Sequence, residues 1–337
     1  MDAQVITNDS IIANSWRPYG FDEKGRPVDE VGHILASERE LRTNSFLTRE
    51  EWERLDKAVF AMGKQRLNAY ADVVSAGLVN NTSLAEEYTK WRVASERIAA
   101  DVTMDFRTRR TQDRTDKKTY GQPLPIVSAE FTIGARELQV QRSFGTPIET
   151  FEAEEAAAAV SEKLEDILVH GHTGIVVNGT PIYGYTTLGA RDTNSAAGYG
   201  GGDFGTISNI RPTFLGMLTA LAAKRYYGPF ACYIANTQYW QMQARYTDGS
   251  DLTALQSVQS IPEISFVKPN DLLADGVLLM VQLTRNVVDL QVAMTMQTRK
   301  WESPDGSASF YLVMAAATPR LKTDYAGYAG IAHATAC

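Results

Sequence analysis

The sequence has little of the chemistry that disulfide frameworks and metal sites require. It holds two cysteines, Cys232 and Cys337, and four histidines among its 337 residues. Two cysteines cannot build a disulfide framework or a multi-cysteine zinc site. We therefore expect Cys232 to be a buried apolar side chain and Cys337 to be a frayed terminal residue.

Among the histidines, His170 and His172 are the best candidates for metal ligands, because they are only two residues apart. His33 and His333 lie in segments that are expected to be irregular, so no third histidine is near. A catalytic zinc site usually has three protein ligands held by further hydrogen bonds. The pattern therefore predicts no metal site, and His170 is expected to interact with the C-terminal dipole of a helix.

Sequence motifs for nucleotide binding and for hydrolysis are also missing. The glycine-rich run GYGGGDFG at 198–205 has no lysine for a phosphate and does not lead from a buried strand into a helix, so a flexible loop is expected. Carboxylates are frequent, but spacing alone singles out no pair for acid and base catalysis. We therefore predict no catalytic residue, no cofactor and no enzyme activity.

Basic residues are outnumbered, with 33 lysines and arginines against 40 acidic residues and a net charge of −7. A protein that grips nucleic acid through its phosphates needs clustered basic residues, so any contact with nucleic acid is expected to be loose. The first 30 residues are repeatedly charged and contain no continuous apolar run. This pattern predicts no secretory signal and a cytoplasmic protein.

The segment Ile167–Ala190 contains no aspartate, glutamate, lysine or arginine, although 22% of the chain is charged. Its glycines, proline and threonines argue against a membrane span. Asn178-Gly179 favours the two-residue turn of a β-hairpin, in which both residues take positive φ. Pro181 cannot donate to a ladder, so the second strand is expected to lie at a sheet edge or to begin there. We expect this uncharged hairpin to pack against other protein.

Helical periodicity and capping residues predict two early helices. The first spans 49–76, because Thr48 and Glu51 have capping-box spacing and apolar residues recur at helical intervals. The second begins after Thr146 and ends at Gly171. Its ~24 residues at ~1.5 Å each make a rod of ~36 Å, which is long for a globular helix.

The second half of the chain predicts a sheet with further helices. A helix is expected from Pro212 to Tyr227, ended by Gly228, with Phe214, Leu215, Leu218 and Leu221 on one side. A short helix is expected within 237–246. The predicted strands are short apolar segments at 229–235, 264–269, 277–283, 287–294 and 309–317. This order of elements predicts an α+β fold whose sheet is built mainly from the second half.

Two segments carry charge of opposite sign. Residues 82–133 are predicted to be a long β-hairpin with a basic, solvated tip, or else an exposed loop. The tip has six basic residues against two aspartates, a net of +4; the basic residues are Arg107, Arg109, Arg110, Arg114, Lys117 and Lys118. The second helix has seven acidic residues against one lysine, a net of −6; the acidic residues are Glu149, Glu152, Glu154, Glu155, Glu162, Glu165 and Asp166.

The order of these parts resembles the major capsid proteins of tailed bacteriophages, of the Hong Kong 97 type. The most suggestive residues are EAAAAVSEKLEDILVHG followed by GTPIYGYTTL. They are similar to the helix end and the short Gly-x-Pro-x-x-Gly hairpin of such proteins, here Gly179, Pro181 and Gly184. The resemblance implies an α+β capsid fold with an N-arm, an E-loop hairpin, a long spine-type helix, a P-domain and an A-domain.

The resemblance also implies boundaries for these parts. They would be an N-terminal arm at 1–47, an N-terminal helix region at 48–81, the E-loop hairpin at 82–133, the long helix and hairpin of the P-domain at 134–211, mainly the A-domain at 212–300, and a C-terminal strand returning to the P-domain and A-domain at 301–337.

The same resemblance implies a function. The chain would be the major capsid protein of a virion, assembling into hexamers and pentamers of an icosahedral shell around double-stranded DNA that it contacts loosely. Assembly would occur in the host bacterial cytoplasm, without a membrane and with portal, scaffolding and decoration proteins as partners. Encapsulins, the shells of bacterial nanocompartments, share the fold and are the alternative. An oligomeric cytoplasmic enzyme is a more remote alternative.

In such a shell, the oppositely charged segments suggest a contact between subunits. We hypothesise that the basic hairpin tip of one subunit lies over the acidic helix of a neighbour. The contact residues would be Arg107, Arg109, Arg110, Arg114, Lys117 and Lys118 on the hairpin, with Glu152, Glu154, Glu155 and Glu162 on the helix.

Overall fold

The computed structural model describes residues 20–21, 27–28, 55, 57–59, 68–95, 104, 116–134, 136, 140, 151–246, 252–302 and 308–337. The chain divides into two compact units. One unit comprises residues 1–53, 132–149 and 300–310, and the other comprises 54–131, 150–299 and 311–337.

The described helices, in chain order, are α1 (Ala69–Ser75), α2 (Phe151–Val169), α3 (Ile210–Ala223), α4 (Asn236–Gln241) and α5 (Ala254–Gln259). The strands are β1 (Gly20–Phe21), β2 (Pro27–Val28), β3 (Val79–Asn81), β4 (Tyr88–Ala94), β5 (Lys117–Pro123), β6 (Ile126–Gly134), β7 (Gly171–Val177), β8 (Thr180–Tyr183), β9 (Asp192–Ser195), β10 (Phe230–Ile234), β11 (Ile264–Pro269), β12 (Leu278–Gln282), β13 (Val288–Glu302), β14 (Ala308–Leu321) and β15 (Ile331–Thr335).

A five-stranded mixed sheet, in the order β11-β10-β12-β15-β9, forms the centre of the larger unit. Successive side chains of a strand point to opposite faces. The cross-strand neighbours Cys232, Met280 and Ala332 therefore share one face. On that face they belong to an apolar core with Phe214 and Met217 of α3, and all five side chains are fully buried. The alternate residues of these strands, among them the cross-strand neighbours Tyr233, Leu279 and His333, point to the opposite face.

A four-stranded sheet, in the order β3-β13-β14-β6, contains the two longest strands. In its part within the larger unit, the fully buried carboxylate of Asp289 on β13 accepts hydrogen bonds from three side chains. Arg320 Nε donates to Asp289 Oδ1 at 2.7 Å, and Arg320 Nη2 donates to Asp289 Oδ2 at 2.6 Å. Lys322 Nζ and Asn80 Nδ2 each donate to Asp289 Oδ2 at 2.8 Å. The carboxylate of Asp289 thus links β3, β13 and β14 through its hydrogen bonds.

The smaller unit has few described residues. Gly20 pairs with Val28 and Phe21 with Pro27 in a short antiparallel ladder within the predicted N-terminal arm. Trp301 and Phe310 stack, with ring centroids 5.9 Å apart and planes within 16°.

Several local predictions are confirmed. The predicted hairpin turn is present, because Asn178 has φ of 54° and Gly179 has φ of 76° between β7 and β8. Pro181 lies in β8 of a two-stranded sheet, where both strands are edges. The second predicted helix ends at Val169, just before Gly171, and its predicted start at Thr146 falls outside the described residues. An antiparallel hairpin is present within 82–133, but its second strand is β5, which begins at Lys117 inside the predicted basic tip. The segment expected to form that second strand is β6, which pairs with β14 instead.

Two predicted helices have wrong boundaries. The first was expected over 49–76. Leu55 and residues 57–59 are helical as predicted, but Asn68 is not, and α1 begins after it with a hydrogen bond from Asp72 N–H to the Asn68 carbonyl at 3.1 Å. The third runs over Ile210–Ala223 and not 212–227. Arg225 has a φ of 63°, so the chain leaves the helix before Gly228. Leu215 is 44% exposed and does not share the buried side of that helix.

Three further expectations are wrong because distant segments bury residues that look peripheral in the sequence. His333 lies in β15, inside the central sheet, and not in an irregular flank. Cys337 is buried, and its N–H donates to the Gly276 carbonyl at 3.0 Å. The glycine-rich run is packed and not a free loop: Phe204 is fully buried, and a side chain on Gly201 would collide with Thr213.

No described helix is long and apolar enough to cross a membrane.

The buried Asp289 cluster predicts a large effect of Asp289→Ala on stability. Removing the carboxylate leaves the Arg320 and Lys322 cations together without their common partner, and breaking a buried ion pair costs about 3–5 kcal/mol. We expect the free energy of unfolding, measured in urea, to fall by that amount.

The matched control is Asp116→Ala, which removes an exposed aspartate of the same unit. It should change the free energy of unfolding by no more than about 0.5 kcal/mol. Equal effects of the two substitutions would show that Asp289 does not hold the sheet together.

Candidate assembly interface

One face of the β4–β5 hairpin is basic. Residues directly opposite each other in an antiparallel pair lie on the same face, and the face alternates along each strand. The register pairs Lys90 with Gly121, Arg92 with Thr119 and Ala94 with Lys117. The three basic side chains Lys90, Arg92 and Lys117 therefore share one face, are all exposed, and form no salt bridge within the described residues. We call them the basic face.

The opposite face of the hairpin contacts the rest of its own unit at Lys118 and Gln122. Trp91 stacks on its cross-strand partner Tyr120, with centroids 6.3 Å apart. Lys118 Nζ lies 4.1 Å from the centroid of the Tyr325 ring. Near the end away from the tip, the buried Gln122 Nε2 donates to Thr318 Oγ1 on β14 at 3.2 Å. These contacts hold one face and leave the basic face outward.

The acidic residues of α2 do not all lie on one side of the helix. A residue advances by ~100° around an α-helix, so positions spaced by three and seven share a side. Glu152, Glu155 and Glu162 have this spacing, and their side chains are exposed. Glu154 lies on the other side and is half-buried. We call Glu152, Glu155 and Glu162 the acidic stripe.

Asp166 continues the stripe in position but is already paired. Its carboxylate accepts from Lys163 Nζ at 2.6 Å and lies 2.9 Å from His170 Nδ1. Burial alone would raise the pKa of Asp166, but the hydrogen bonds from Lys163 and His170 outweigh it and hold the pKa below 3.8. His170 at the helix end thus contacts a carboxylate of the preceding turn, which the sequence argument for this histidine omitted.

Glu165 is not a surface charge at all. Its side chain on α2 is 3% exposed and faces the N-terminus of α1. Oε1 accepts from Ala69 N–H at 2.7 Å and from Asn270 Nδ2 at 2.9 Å, and Oε2 accepts from Tyr70 N–H at 3.0 Å. Desolvation raises the pKa of Glu165, against the lowering effect of these hydrogen bonds. The count of −6 for this helix therefore overstates its surface charge.

A second carboxylate joins α1 to the central sheet. Asp72 pairs with Lys268 of β11, and Tyr233 of β10 donates its hydroxyl to Asp72 Oδ2 at 3.2 Å. The Tyr185 ring stacks on Tyr233, with centroids 6.5 Å apart. Residues Asp72, Glu165, Lys268 and Asn270 thus connect α1, α2 and the sheet by polar contacts. No sequence pattern indicated this cluster, because its members are up to about 200 positions apart.

The uncharged hairpin β7–β8 exposes aliphatic side chains. His172 pairs with Ile182 and Val177 with Thr180, so four residues of β7 lie opposite Pro181 alone. All four bulged residues are exposed, including Val176 at 56%. A bulge re-aims side chains away from the ladder. Contact of this surface with other protein remains a prediction.

The structure brings together part of the predicted contact set. Arg107, Arg109, Arg110 and Arg114 lie outside the described residues. Lys117 belongs to the basic face, whereas Lys118 lies on the opposite side of the hairpin. Three of the four glutamates share the acidic stripe, and Glu154 does not. Sequence reasoning missed Lys90 and Arg92, although their spacing of two in the β-like segment EYTKWRVAS would place them on one face.

Metal ligands are not clustered in the part of the chain that the structure describes. No group of three or more histidine, cysteine, aspartate or glutamate side chains there could hold a metal ion.

Comparison with known proteins identifies the fold. A family model described as "Family of unknown function (DUF6260)" matches residues 42–334. The chain matches no curated protein sequence. Among solved structures it is similar to the capsid of Myoviridae phage XM1, with a TM-score of 0.61 and 13% identity over 78% of this chain and 91% of that one.

Two other shells are similar to the chain. The virus-like particle from Pyrococcus furiosus matches with a TM-score of 0.57 and 12% identity, over 84% of this chain and 98% of that one. The capsid of a native GTA particle matches with a TM-score of 0.55 and 13% identity, over 80% of this chain and 91% of that one. The α+β fold of the Hong Kong 97 type, expected from the resemblance, is therefore confirmed.

The buried Glu165 predicts a pH-dependent effect of Glu165→Gln. An amide has one acceptor oxygen for the two helix N–H groups, and a lost buried hydrogen bond costs about 1–3 kcal/mol. The pKa of Glu165 is raised above 4.5 in the folded state, so the native protein binds the proton more tightly than the unfolded chain. The stability that this tighter proton binding by Glu165 contributes is fully present below pH 4.5 and declines as the pH rises through the pKa of the folded state.

The advantage of the wild type over Glu165→Gln in free energy of unfolding should therefore be larger at pH 5 than at pH 8. Urea unfolding at both pH values measures it. Glu155→Gln, an exposed position on the same helix, is the control and should show no such trend. If the stability advantage of the wild type grew with pH, the pKa of Glu165 would not be raised in the folded state.

Proposed function

For this chain, which belongs to the DUF6260 family, we propose the function of a capsid shell protein that assembles with copies of itself into hexamers and pentamers of an icosahedral shell. The observation that carries the proposal is the fold. It is similar to the solved structures of two capsids and a virus-like particle, and the similarity extends over at least 78% of this chain in each case.

The surfaces of the molecule support self-assembly. The β4–β5 hairpin extends a basic face, α2 carries an acidic stripe, and β7 exposes aliphatic residues in a segment without charge. Ordering each residue costs ~1–2 kcal/mol, so a long hairpin with one face left in solvent is costly in a monomer. Contacts between copies would offset that cost. Subunits that contact each other through two different surface patches can close into rings.

We propose further that the shell is the head of a tailed bacteriophage and encloses double-stranded DNA. The net charge of −7 is compatible with a container wall that contacts its contents loosely. Portal, scaffolding and decoration proteins would be its partners, and assembly would take place in the bacterial cytoplasm. The arm, E-loop, P-domain and A-domain boundaries implied by the resemblance belong to the same proposal, and no enzyme activity is part of it.

An encapsulin-type shell is the second candidate. The virus-like particle from Pyrococcus furiosus favours it, because this chain covers 98% of that subunit. The two candidates differ in what the shell contains and not in the subunit fold. A bacteriophage head would hold DNA, and a nanocompartment would hold cargo protein.

Electron microscopy of the purified full-length protein tests the proposal. We expect closed icosahedral shells, because hexamers and pentamers of one subunit close in that way. A small oligomer of uniform size, under all conditions of salt and protein concentration, would contradict it. Shells isolated from the native source and treated with nuclease should retain double-stranded DNA; protein cargo without DNA would favour the second candidate instead.

A further inference from the structure

We propose that Asn178, in the turn between β7 and β8, is a site of spontaneous deamidation in the folded protein. The reaction converts its side-chain amide into a carboxylate and places a negative charge in the uncharged hairpin. It takes place within one subunit, so it is independent of the proposed function. The turn supports it through the absence of a side chain on Gly179, the exposure of both residues, the free Asn178 amide and the short ladder beside the turn.

The reaction needs the two turn residues and water. The backbone nitrogen of Gly179 attacks Cγ of Asn178, so a bond forms between these atoms while the bond from Cγ to Nδ2 breaks. Nδ2 leaves as ammonia and takes up the proton that the Gly179 nitrogen loses, and the product is a cyclic imide. Water then adds to either carbonyl of the imide, and the bond from that carbonyl to the Gly179 nitrogen breaks, which gives aspartate or isoaspartate. Nothing is oxidised or reduced.

Gly179 presents an unhindered nitrogen. A glycine has no Cβ to crowd the forming ring, and Asn178-Gly179 is the one Asn-Gly pair of the sequence. Apart from the chain neighbours of Gly179, no described heavy atom lies within 4 Å of the position that a Cβ there would take. Both turn residues are exposed. Water, and the hydroxide that removes the proton of the Gly179 nitrogen, can therefore reach the site.

The Asn178 side-chain amide is free, in contrast to other asparagines of the structure. It has no hydrogen-bond partner within the described residues. By comparison, Asn80 Nδ2 donates to Asp289 Oδ2 at 2.8 Å, and Asn270 Nδ2 donates to Glu165 Oε1 at 2.9 Å. Such bonds hold an amide away from the backbone nitrogen that follows it. The Asn178 amide can turn towards that nitrogen without losing a hydrogen bond to another described residue.

The ladder beside the turn is short, so the turn can change its conformation. Val177 pairs with Thr180, but the next pair is His172 with Ile182. Four exposed, bulged residues of β7 separate the two pairs, and Pro181 opposite them has no N–H to donate. A segment with few backbone hydrogen bonds and exposed residues opens locally at a small free-energy cost. Such opening allows the two reacting atoms to meet.

Both products change the surface of the hairpin. Aspartate is compatible with the turn, because Asp-Gly also favours type I′ geometry, but it adds a charge to Ile167–Ala190, which has none. Isoaspartate routes the main chain through Cγ and so lengthens a turn that is built from two residues. Val176, which is 56% exposed, lies two residues before the new carboxylate. Because burying an unpaired charge is costly, the modified hairpin is a poorer surface for packing against other protein.

Peptide mass spectrometry of the purified full-length protein tests the proposal. After prolonged incubation of the folded protein at pH 8, the peptide that contains Asn178 should shift in mass by the difference between an amide and a carboxyl group. An isoaspartyl methyltransferase should label part of this peptide, because one of the two ring openings gives isoaspartate. At pH 5 the shift should develop more slowly, since less hydroxide is present to remove the proton of the Gly179 nitrogen.

Two variants and an internal control make the test specific. Asn178→Gln should lose the shift, because a glutamine side chain would have to close a larger ring. Gly179→Asn should delay it, since the added Cβ crowds the nitrogen while asparagine tolerates the positive φ of 76°. Asn194, whose Oδ1 accepts from Ser195 N–H at 2.9 Å, is the internal control and should stay intact longer. Fragmentation of each peptide assigns the shift to one residue, and thermal unfolding checks that each variant is folded.

Two results would overturn the proposal. Conversion of Asn178 in the urea-unfolded chain but not in the folded protein would show that the turn protects the amide. Conversion of Asn194 as fast as Asn178 would show that the turn does not select the site. Neither result depends on shell assembly: a protein that deamidates at Asn178 and forms no shells overturns the proposed function alone, and shells whose subunits keep Asn178 intact overturn the deamidation alone.

Discussion

The burial of one side of α2 is the constraint on which the larger unit depends. Within the described residues, this helix is the longest, and its Glu165 carboxylate is taken out of water to hold the N-terminus of α1. A buried carboxylate is tolerated only where hydrogen bonds replace its hydration. Two backbone N–H groups and the Asn270 amide supply them. The same contact stabilises the start of α1 after Asn68.

Burying that side of α2 determines what remains outside. Once Glu165 caps α1 and Asp166 is paired with Lys163 and His170, the exposed glutamates Glu152, Glu155 and Glu162 remain along one side of the helix. The half-buried Glu154 lies on another side. In the β4–β5 hairpin the two kinds of side chain alternate along each strand, because successive residues of a strand point to opposite faces. One of its faces is used for contacts within the subunit, and the other carries charge. Both elements thus divide into a side that contacts the rest of the subunit and a side with exposed charged residues.

Much of the local structure could be predicted because it depends on neighbouring residues. Asn178-Gly179 requires positive φ twice, Gly171 follows the helix end, and Pro181 excludes a central strand. The wrong predictions concern residues whose surroundings come from distant segments. His333, Cys337 and Phe204 look peripheral in sequence but are buried by strands and helices elsewhere in the chain. Within the described residues, the helix predicted over 49–76 was missed at Asn68, where the N–H groups that follow it donate to Glu165, almost one hundred positions later.

The sequence by itself determined the α+β class, the turns, the end of the long helix, and the presence of one basic and one acidic segment. These follow from short-range sterics, capping and composition. Only the tertiary structure decided which of those charges reach the surface. It placed Lys90 and Arg92 beside Lys117 and withdrew Glu165 from solvent. The physical reason is that a side chain's exposure depends on what packs against its element, and that partner lies far away in the sequence.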